Sequence, residues 1–180
     1  MKNYQLLILF SILFVTVTKA QPGNRYQIQS AQINYVYSGD FSGSEQLCFE
    51  NFGLKKAIVK KLFTKNGKEI TDTKAVLKND TLTELNLNTH QKQTTPLHHE
   101  NTTNETLSML KAGNFKKTGE ETIAGYTCQK HSGEMGVICI WKGVILKSEI
   151  TVADKKIVKT AVRIDTASAI KPSLFTLNDN

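Results

Sequence analysis

"ETIAGYTCQKHSGEMGVICIWKGVILKSEI", residues 121–150, contains two of the three cysteines and the only tryptophan of the chain. Apolar and polar residues alternate along it with the period of two that is typical of β-strands. We predict a hairpin with strands at 121–130 and 137–141, and a bend at Gly143 into a third strand at 144–152. The stretch therefore predicts antiparallel sheet and no reactive centre.

Two cysteines lie symmetrically about the middle of this predicted hairpin. A hairpin centred between Gly133 and Glu134 places Cys128 opposite Cys139. Opposed Cα atoms lie about 4.5–5.5 Å apart, a span that a disulfide covers. A four-residue loop at 132–135 favours the bond more than a two-residue turn does, because it makes the cysteines a non-hydrogen-bonded pair. Two alternatives stay open, a cross-strand disulfide and two reduced thiols packed in the sheet.

Motifs for catalysis or metal binding are missing from the sequence. The cysteines lack the short paired spacing of zinc sites, and His98 and His99 fall in a polar loop. No nucleophile elbow, zinc-protease, phosphate-loop or dinucleotide motif occurs. Cys48 alternates with apolar neighbours, which predicts a buried or half-exposed, unreactive thiol. We therefore expect no catalytic residue, no metal and no cofactor, and a protein that is not an enzyme.

The rest of the chain also reads as short strands separated by turns. Ile33, Tyr35 and Tyr37 alternate with polar residues, and Asn66-Gly67 is a strong signal for a tight hairpin. Polar residues 94–106 predict a long surface loop, and residues 104–113 a short helix. The predicted fold is mainly β, a single curled antiparallel sheet with one or two short helices.

A curled sheet either fills its concave side with side chains or leaves a cavity there. Trp141 shares a predicted strand face with Val137 and Cys139, and Phe175 and Leu177 are predicted to anchor the tail. We interpret six apolar residues as the lining of the concave side, with ordinary core packing as the alternative for each: Tyr35, Leu47, Phe49, Leu85, Leu87 and Trp141.

The N-terminus has the pattern of a secretory signal peptide. Lys2 precedes an apolar run at 6–17, and small residues end at Ala20, which predicts cleavage between Ala20 and Gln21. The apolar run is shorter than the roughly 20 residues of a membrane span. We expect residues 1–20 to be removed and residues 21–180 to form one periplasmic or secreted domain, with no stable membrane span.

The positive charge of the chain does not indicate nucleic-acid binding. The formal net charge is +7, yet the lysines are scattered and the only arginines are Arg25 and Arg163. A nucleic-acid interface would cluster cations with aromatic or arginine side chains. The lysines are instead typical of solvated strand faces that discourage aggregation between sheet edges.

The order of "GEETIAGYTCQKH", "ICIWKGVILKSEI", "AVRID" and "IKPSLFTL" resembles uncharacterised secreted bacterial proteins related to the LolA/LppX-like family. The resemblance covers most of residues 30–177 and is specific over 119–150. It implies a half-open β-barrel closed by helices, with a cavity for acyl chains or another apolar ligand. Little helix is visible here, which implies a small lid or none.

The resemblance predicts an extracytoplasmic binding protein that holds a lipid, an acyl chain or a lipidated envelope protein. The alternative is a structural or interaction protein of the bacterial envelope whose curled sheet has a filled core. An open apolar pocket of at least about 300 Å³ on the concave face would favour the first interpretation.

Overall fold

The computed structural model describes residues 24–97 and 105–177. The predicted signal peptide, its cleavage site at Ala20 and Gln21, His98, His99 and Asn104 lie outside these residues. Eleven strands form one antiparallel sheet: β1 (Ala31–Gly39), β2 (Phe41–Glu50), β3 (Lys55–Thr64), β4 (Glu69–Lys78), β5 (Thr81–Asn86), β6 (Lys92–Pro96), β7 (Lys116–Ile123), β8 (Tyr126–Gly133), β9 (Gly136–Trp141), β10 (Val144–Val152) and β11 (Lys155–Asp165).

The order of the strands shows which strands form the two edges of the sheet. It is β6-β5-β4-β3-β2-β1-β11-β10-β9-β8-β7, so only the β1–β11 pair joins strands that are distant in the chain. The edge strands β6 and β7 are connected by helix α1 (Glu105–Ala112), which confirms the predicted helix. The fold is therefore mainly β, a single antiparallel sheet that is not closed into a barrel, as the sequence predicted.

One half of the sheet is strongly curled. β7 comes within 8 Å of β11 between Cα atoms, although β8, β9 and β10 lie between them in the sheet. Glu121 on β7 also forms a salt bridge of 2.7 Å with Lys147 on β10. Register shifts interrupt the ladders at Asn34/Tyr35 and at Ile145/Lys147. Such bulges increase local twist, which accounts for the curl.

Several local turns follow the sequence signals, and others do not. The turn between β3 and β4 contains Gly67 at φ 75°, as the Asn66-Gly67 pair predicted. The prediction of one strand over 121–130 is wrong, because Ala124 and Gly125 take positive φ and form a tight turn between β7 and β8. Alanine is not a typical residue for that conformation, so the sequence gives little signal for this turn.

The polar segment after residue 94 is partly strand. Lys92–Pro96 pairs with β5 as strand β6, so the predicted surface loop at 94–106 is wrong at its beginning. All five residues of β6 are exposed, and their composition does not distinguish an edge strand from a loop. Its pairing with β5 makes this segment an edge strand.

The tail of the chain covers one face of the sheet, which we call the tail face. Cys48 and its neighbours in the ladder pack there against Phe175, which is 5% exposed, and against Leu177. Both predicted anchors are therefore confirmed. Burial raises the pKa of the Cys48 thiol to about 11, so this cysteine stays protonated at neutral pH.

Candidate functional site: an apolar groove beside a buried ion pair

Helix α1 lies on the other face of the sheet, which we call the helix face. The Oγ1 atom of Thr106 in its first turn donates a hydrogen bond of 2.7 Å to the carbonyl of Gly143, in the turn between β9 and β10. Met109, one turn further on, lines cavities together with residues of β1, β10 and β11. The helix therefore packs over a small part of the helix face.

An elongated groove remains open beside the helix, and we call it the apolar groove. Its volume is about 370 Å³. Ile70 on its wall is 49% exposed, so part of the apolar lining is open to solvent. Most of its lining is aliphatic or aromatic, with two lysines, one serine and one tyrosine: Tyr37, Phe41, Lys60, Leu62, Ile70, Met109, Ile145, Ser148, Ile150, Ile157 and Lys159.

A smaller cavity of about 200 Å³ lies next to the apolar groove, deeper under the helix. Tyr35 and Leu47 line this inner cavity. Met109, Ile145 and Lys159 line both spaces and so form the partition between them. The side chain of Met109 comes from the helix, and a thioether of this kind adapts its shape readily.

A buried ion pair stands at this partition. Glu45 is only 6% exposed and accepts a hydrogen bond of 3.0 Å from the Nζ atom of Lys159. Its second carboxylate oxygen accepts a hydrogen bond of 2.6 Å from the hydroxyl of Tyr37. The Lys159 ammonium also lies 4.5 Å from the centre of the Tyr35 ring, in a cation–π contact. The register places these groups on one face, although they come from β1, β2 and β11.

The surroundings of Glu45 keep it ionised. Burial by itself would raise the pKa of its carboxyl group, but the charge of Lys159, the hydrogen bonds from Tyr37 and Lys159 and the charge of Lys60 together lower it. Burial, followed by the negative charge of Glu45 and the hydrogen bond with it, raises the pKa of Tyr37, so its phenol stays protonated and remains a donor. The cluster is therefore a carboxylate held between an ammonium and a phenol.

The lowered pKa of Glu45 predicts a component of stability that depends on pH. A carboxyl group with a depressed folded-state pKa stabilises the fold above its ordinary value of 4.5 and loses this effect as the pH falls through the folded-state value. We expect the urea midpoint of the wild type to fall on acidification below about pH 4.5. Glu45→Gln is expected to show a smaller fall over the same range. Identical pH profiles of the two proteins would contradict the assignment.

Lys60 is the second cation of the groove. It pairs with Glu45 in the β2–β3 register and so lies on the helix face, half-buried. Among the described residues, no carboxylate lies within salt-bridge distance of the Lys60 ammonium. Glu45 forms its salt bridge with Lys159. Among the described residues that line the apolar groove, none is acidic. The groove therefore combines an apolar wall with two lysines, one of which has no salt-bridge partner among the described residues.

The six residues predicted to line one concave cavity are in fact distributed over several places. Tyr35 and Leu47 line the inner cavity. Phe49 is completely buried and packs against the tilted ring of Tyr26, with 4.3 Å between the ring centres, so it is core. Trp141 is half-buried and packs against Tyr126, and it lines a separate groove on the far side of the helix.

Leu85 and Leu87 do not share a face with the other predicted lining residues. Following the register from Leu47 through β3 and β4 leads to Glu84 on β5. Because side chains alternate across a strand, Leu85 lies on the opposite face. Leu87 follows β5 in a turn, where its amide donates to the carbonyl of Asp72, and it lines neither the apolar groove nor the inner cavity. The prediction that these two leucines line the same cavity is corrected by this register.

Cys128 and Cys139 form a disulfide in the structure, with 5.5 Å between their Cα atoms. The prediction that they lie directly opposite each other is wrong, because Lys130 pairs with Cys139. The turn consists of Glu134 and Met135, one residue later than predicted, and the cysteines are diagonal neighbours. Both are almost completely buried, in the curled half of the sheet. The bond links two strands of the scaffold and forms no part of the apolar groove.

Sequence reasoning missed the charged residues of the site, although a signal for them exists. Glu45 has the same period-two position as Leu47 and Phe49, on the buried side of β2. Lys159 likewise alternates with Ile157 and Ala161 on β11. A charged residue at an apolar position of a strand indicates a buried partner, because an unpaired buried charge is very costly.

Comparison with solved structures defines the class of fold. The chain is similar to an uncharacterized conserved protein from Thermus thermophilus, with a TM-score of 0.57 and 9% identity over 84% of this chain and 87% of that one. It is similar to MucB, with a TM-score of 0.51 and 13% identity over 88% of this chain and 60% of MucB. It also resembles a chain of the Pseudomonas aeruginosa MucA/MucB complex, with a TM-score of 0.53 and 14% identity over 86% of this chain and 58% of that one.

These likenesses show that the chain shares the fold of these proteins, at identities of 9% to 14%. The chain spans less than two thirds of the MucB chains that it matches. No protein-family model matches the sequence, and no curated protein matches it. Within residues 24–97 and 105–177, no helix is long and apolar enough to cross a membrane.

Proposed function

We propose that the protein is an extracytoplasmic binding protein that holds an acyl chain or similar apolar ligand in the apolar groove. The observation that carries this proposal is the groove itself, with about 370 Å³ of space between an aliphatic wall and helix α1. Small-molecule sites are concave, mostly apolar and roughly 300 Å³ or larger. The signal-peptide pattern at residues 1–20 supports an extracytoplasmic location.

The partition at Met109 suits a ligand of variable length. A chain that enters the apolar groove meets the methionine side chain before it reaches the inner cavity. Rotation of this flexible side chain would connect the two spaces, because Met109 is one of the three residues that line both of them. Met109 is half-buried and lies on the helix, so its movement disturbs no strand.

An alternative candidate is an interaction protein of the envelope that docks a protein partner. It is favoured by one comparison, since a chain of the MucA/MucB complex shares this fold. In that case the groove would be a surface for an apolar segment of the partner and would not retain a free acyl ligand.

Met109→Trp is expected to weaken acyl binding at least about tenfold, because the indole fills the groove beside the helix and closes the partition. The measurement is displacement of a fluorescent fatty-acid probe from the purified mature protein. Leu107→Trp is the matched control, since Leu107 lies on the same helix, is 52% exposed and does not line the apolar groove.

The control is expected to bind the probe as the wild type does, and circular dichroism checks that both variants fold. Saturable binding that is equal in the two variants would place the ligand elsewhere. A wild type that binds no acyl probe at all would instead favour the interaction protein.

A further inference from the structure

We propose that the ligand of the apolar groove is an ionised fatty acid, with its carboxylate held by Lys60 and its chain along the aliphatic wall. This inference rests on the proposed function and adds the chemistry of the head group. It concerns one free, single-chain anionic amphiphile, because the groove has a volume of only about 370 Å³ and most of its lining is apolar.

The charge of the groove argues for an anion. Glu45 and Lys159 neutralise each other at 3.0 Å, with Glu45 buried and Lys159 half-buried. Lys60 stands beside this pair with one further positive charge, because it is the cross-strand partner of Glu45 in the β2–β3 register. Since none of the described residues that line the groove is acidic, these residues together carry one positive charge in excess of the Glu45–Lys159 pair. A carboxylate restores neutrality.

The polar groups of the lining fit a carboxylate better than a neutral head group. The Tyr37 hydroxyl already donates to Glu45, so it is not available to a ligand. Lys60 provides ammonium donors, and the hydroxyl of Ser148 lines the same groove. Hydrogen bonds between an ammonium and a carboxylate are stronger than those between neutral groups. A neutral amphiphile would remove water from Lys60 without supplying a charge in return.

The position of Lys60 separates it from the structural ion pair. It lies on β3, whereas Lys159 lies on β11 and holds the buried carboxylate. Replacing Lys60 therefore removes charge from the groove and leaves the hydrogen bonds of Glu45 in place. Lys60→Met keeps the length and apolar stem of the side chain, and Lys60→Arg keeps its charge.

The test compares myristate with myristyl alcohol, which have the same chain and differ only in the head group. Affinities are measured by probe displacement at low ionic strength, well above the pKa of the fatty acid. The wild type is expected to bind myristate about tenfold more tightly than the alcohol, a ratio typical of one charge-assisted contact at a half-buried site. Lys60→Met is expected to lose this preference with unchanged affinity for the alcohol, and Lys60→Arg to keep it.

Lys68→Met serves as the control for net charge, because Lys68 is exposed in the turn between β3 and β4 and does not line the groove. It is expected to keep the preference for myristate. Equal binding of acid and alcohol by the wild type would overturn the carboxylate inference and leave the proposed function intact. Binding of neither ligand would overturn both.

Discussion

Lys159→Met is expected to destabilise the protein by about 3–5 kcal/mol, the usual result of removing one partner of a buried ion pair. The substitution leaves the Glu45 carboxylate 6% exposed, with the hydroxyl of Tyr37 as its remaining close donor. Methionine keeps most of the apolar stem, so the loss reports on charge more than on packing. The measurement is the free energy of unfolding in urea at neutral pH.

A double variant separates the ion pair from its surroundings. Glu45→Gln combined with Lys159→Met removes both charges and is expected to regain most of the stability lost in the single variant. Lys156→Met is the matched control on the same strand. Lys156 forms a salt bridge of 2.6 Å with Glu149, shorter than the 3.0 Å of Lys159 with Glu45, but the two side chains are 56% and 41% exposed. We expect it to cost no more than about 1 kcal/mol. Equal losses at Lys156 and Lys159 would refute the role of burial.

Removal of the disulfide by Cys128→Ala and Cys139→Ala together is expected to cost about 3 kcal/mol of stability. The two cysteines are separated by 11 residues in sequence. In the chain-entropy description, a cross-link that closes a loop of this length restricts the unfolded chain by roughly that amount. The measurement is urea denaturation of the oxidised protein and of the double variant.

Cys48→Ala is the control for lost packing, because Cys48 is buried to the same degree and is not part of the disulfide. It is expected to cost about 1 kcal/mol, as the loss of one small buried side chain does. Thiol counting under denaturing conditions provides the direct check. One reactive thiol before reduction and three afterwards are expected, and three before reduction would show that the bond is absent.

The strands were largely predictable because their signals are local. Alternation of apolar residues around Tyr35 and Leu47, and the Asn66-Gly67 pair, depend only on neighbours in the chain. The short helix was predictable for the same reason, since Leu107 and Leu110 have helical spacing and Gly113 ends it. Periodicity and turn chemistry act over a few residues, so the sequence reveals them without knowledge of the fold.

The register of the hairpins was not predictable from these signals. Ala124 takes a positive φ that alanine rarely adopts. The two central residues of the next turn, Glu134 and Met135, are not glycine, although Gly133 and Gly136 flank them. Their conformations are held by the ladders on either side. A shift of one residue then turned the predicted opposed cysteines, Cys128 and Cys139, into diagonal neighbours that still reach each other.

The sequence by itself determined that this protein is a curled antiparallel sheet with a buried strand face. The reason is that the alternation of apolar and polar residues along a strand depends only on residues that are neighbours in the chain. The spacing of Glu45 two residues before Leu47 carries a signal for its place on that face, although sequence reasoning did not use it. Only the tertiary structure decided that Lys159 meets this carboxylate, since the two residues are 114 positions apart and are joined by the pairing of β1 with both β2 and β11. The groove exists for the same physical reason: its walls come from distant strands and a helix, and no local pattern specifies the space between them.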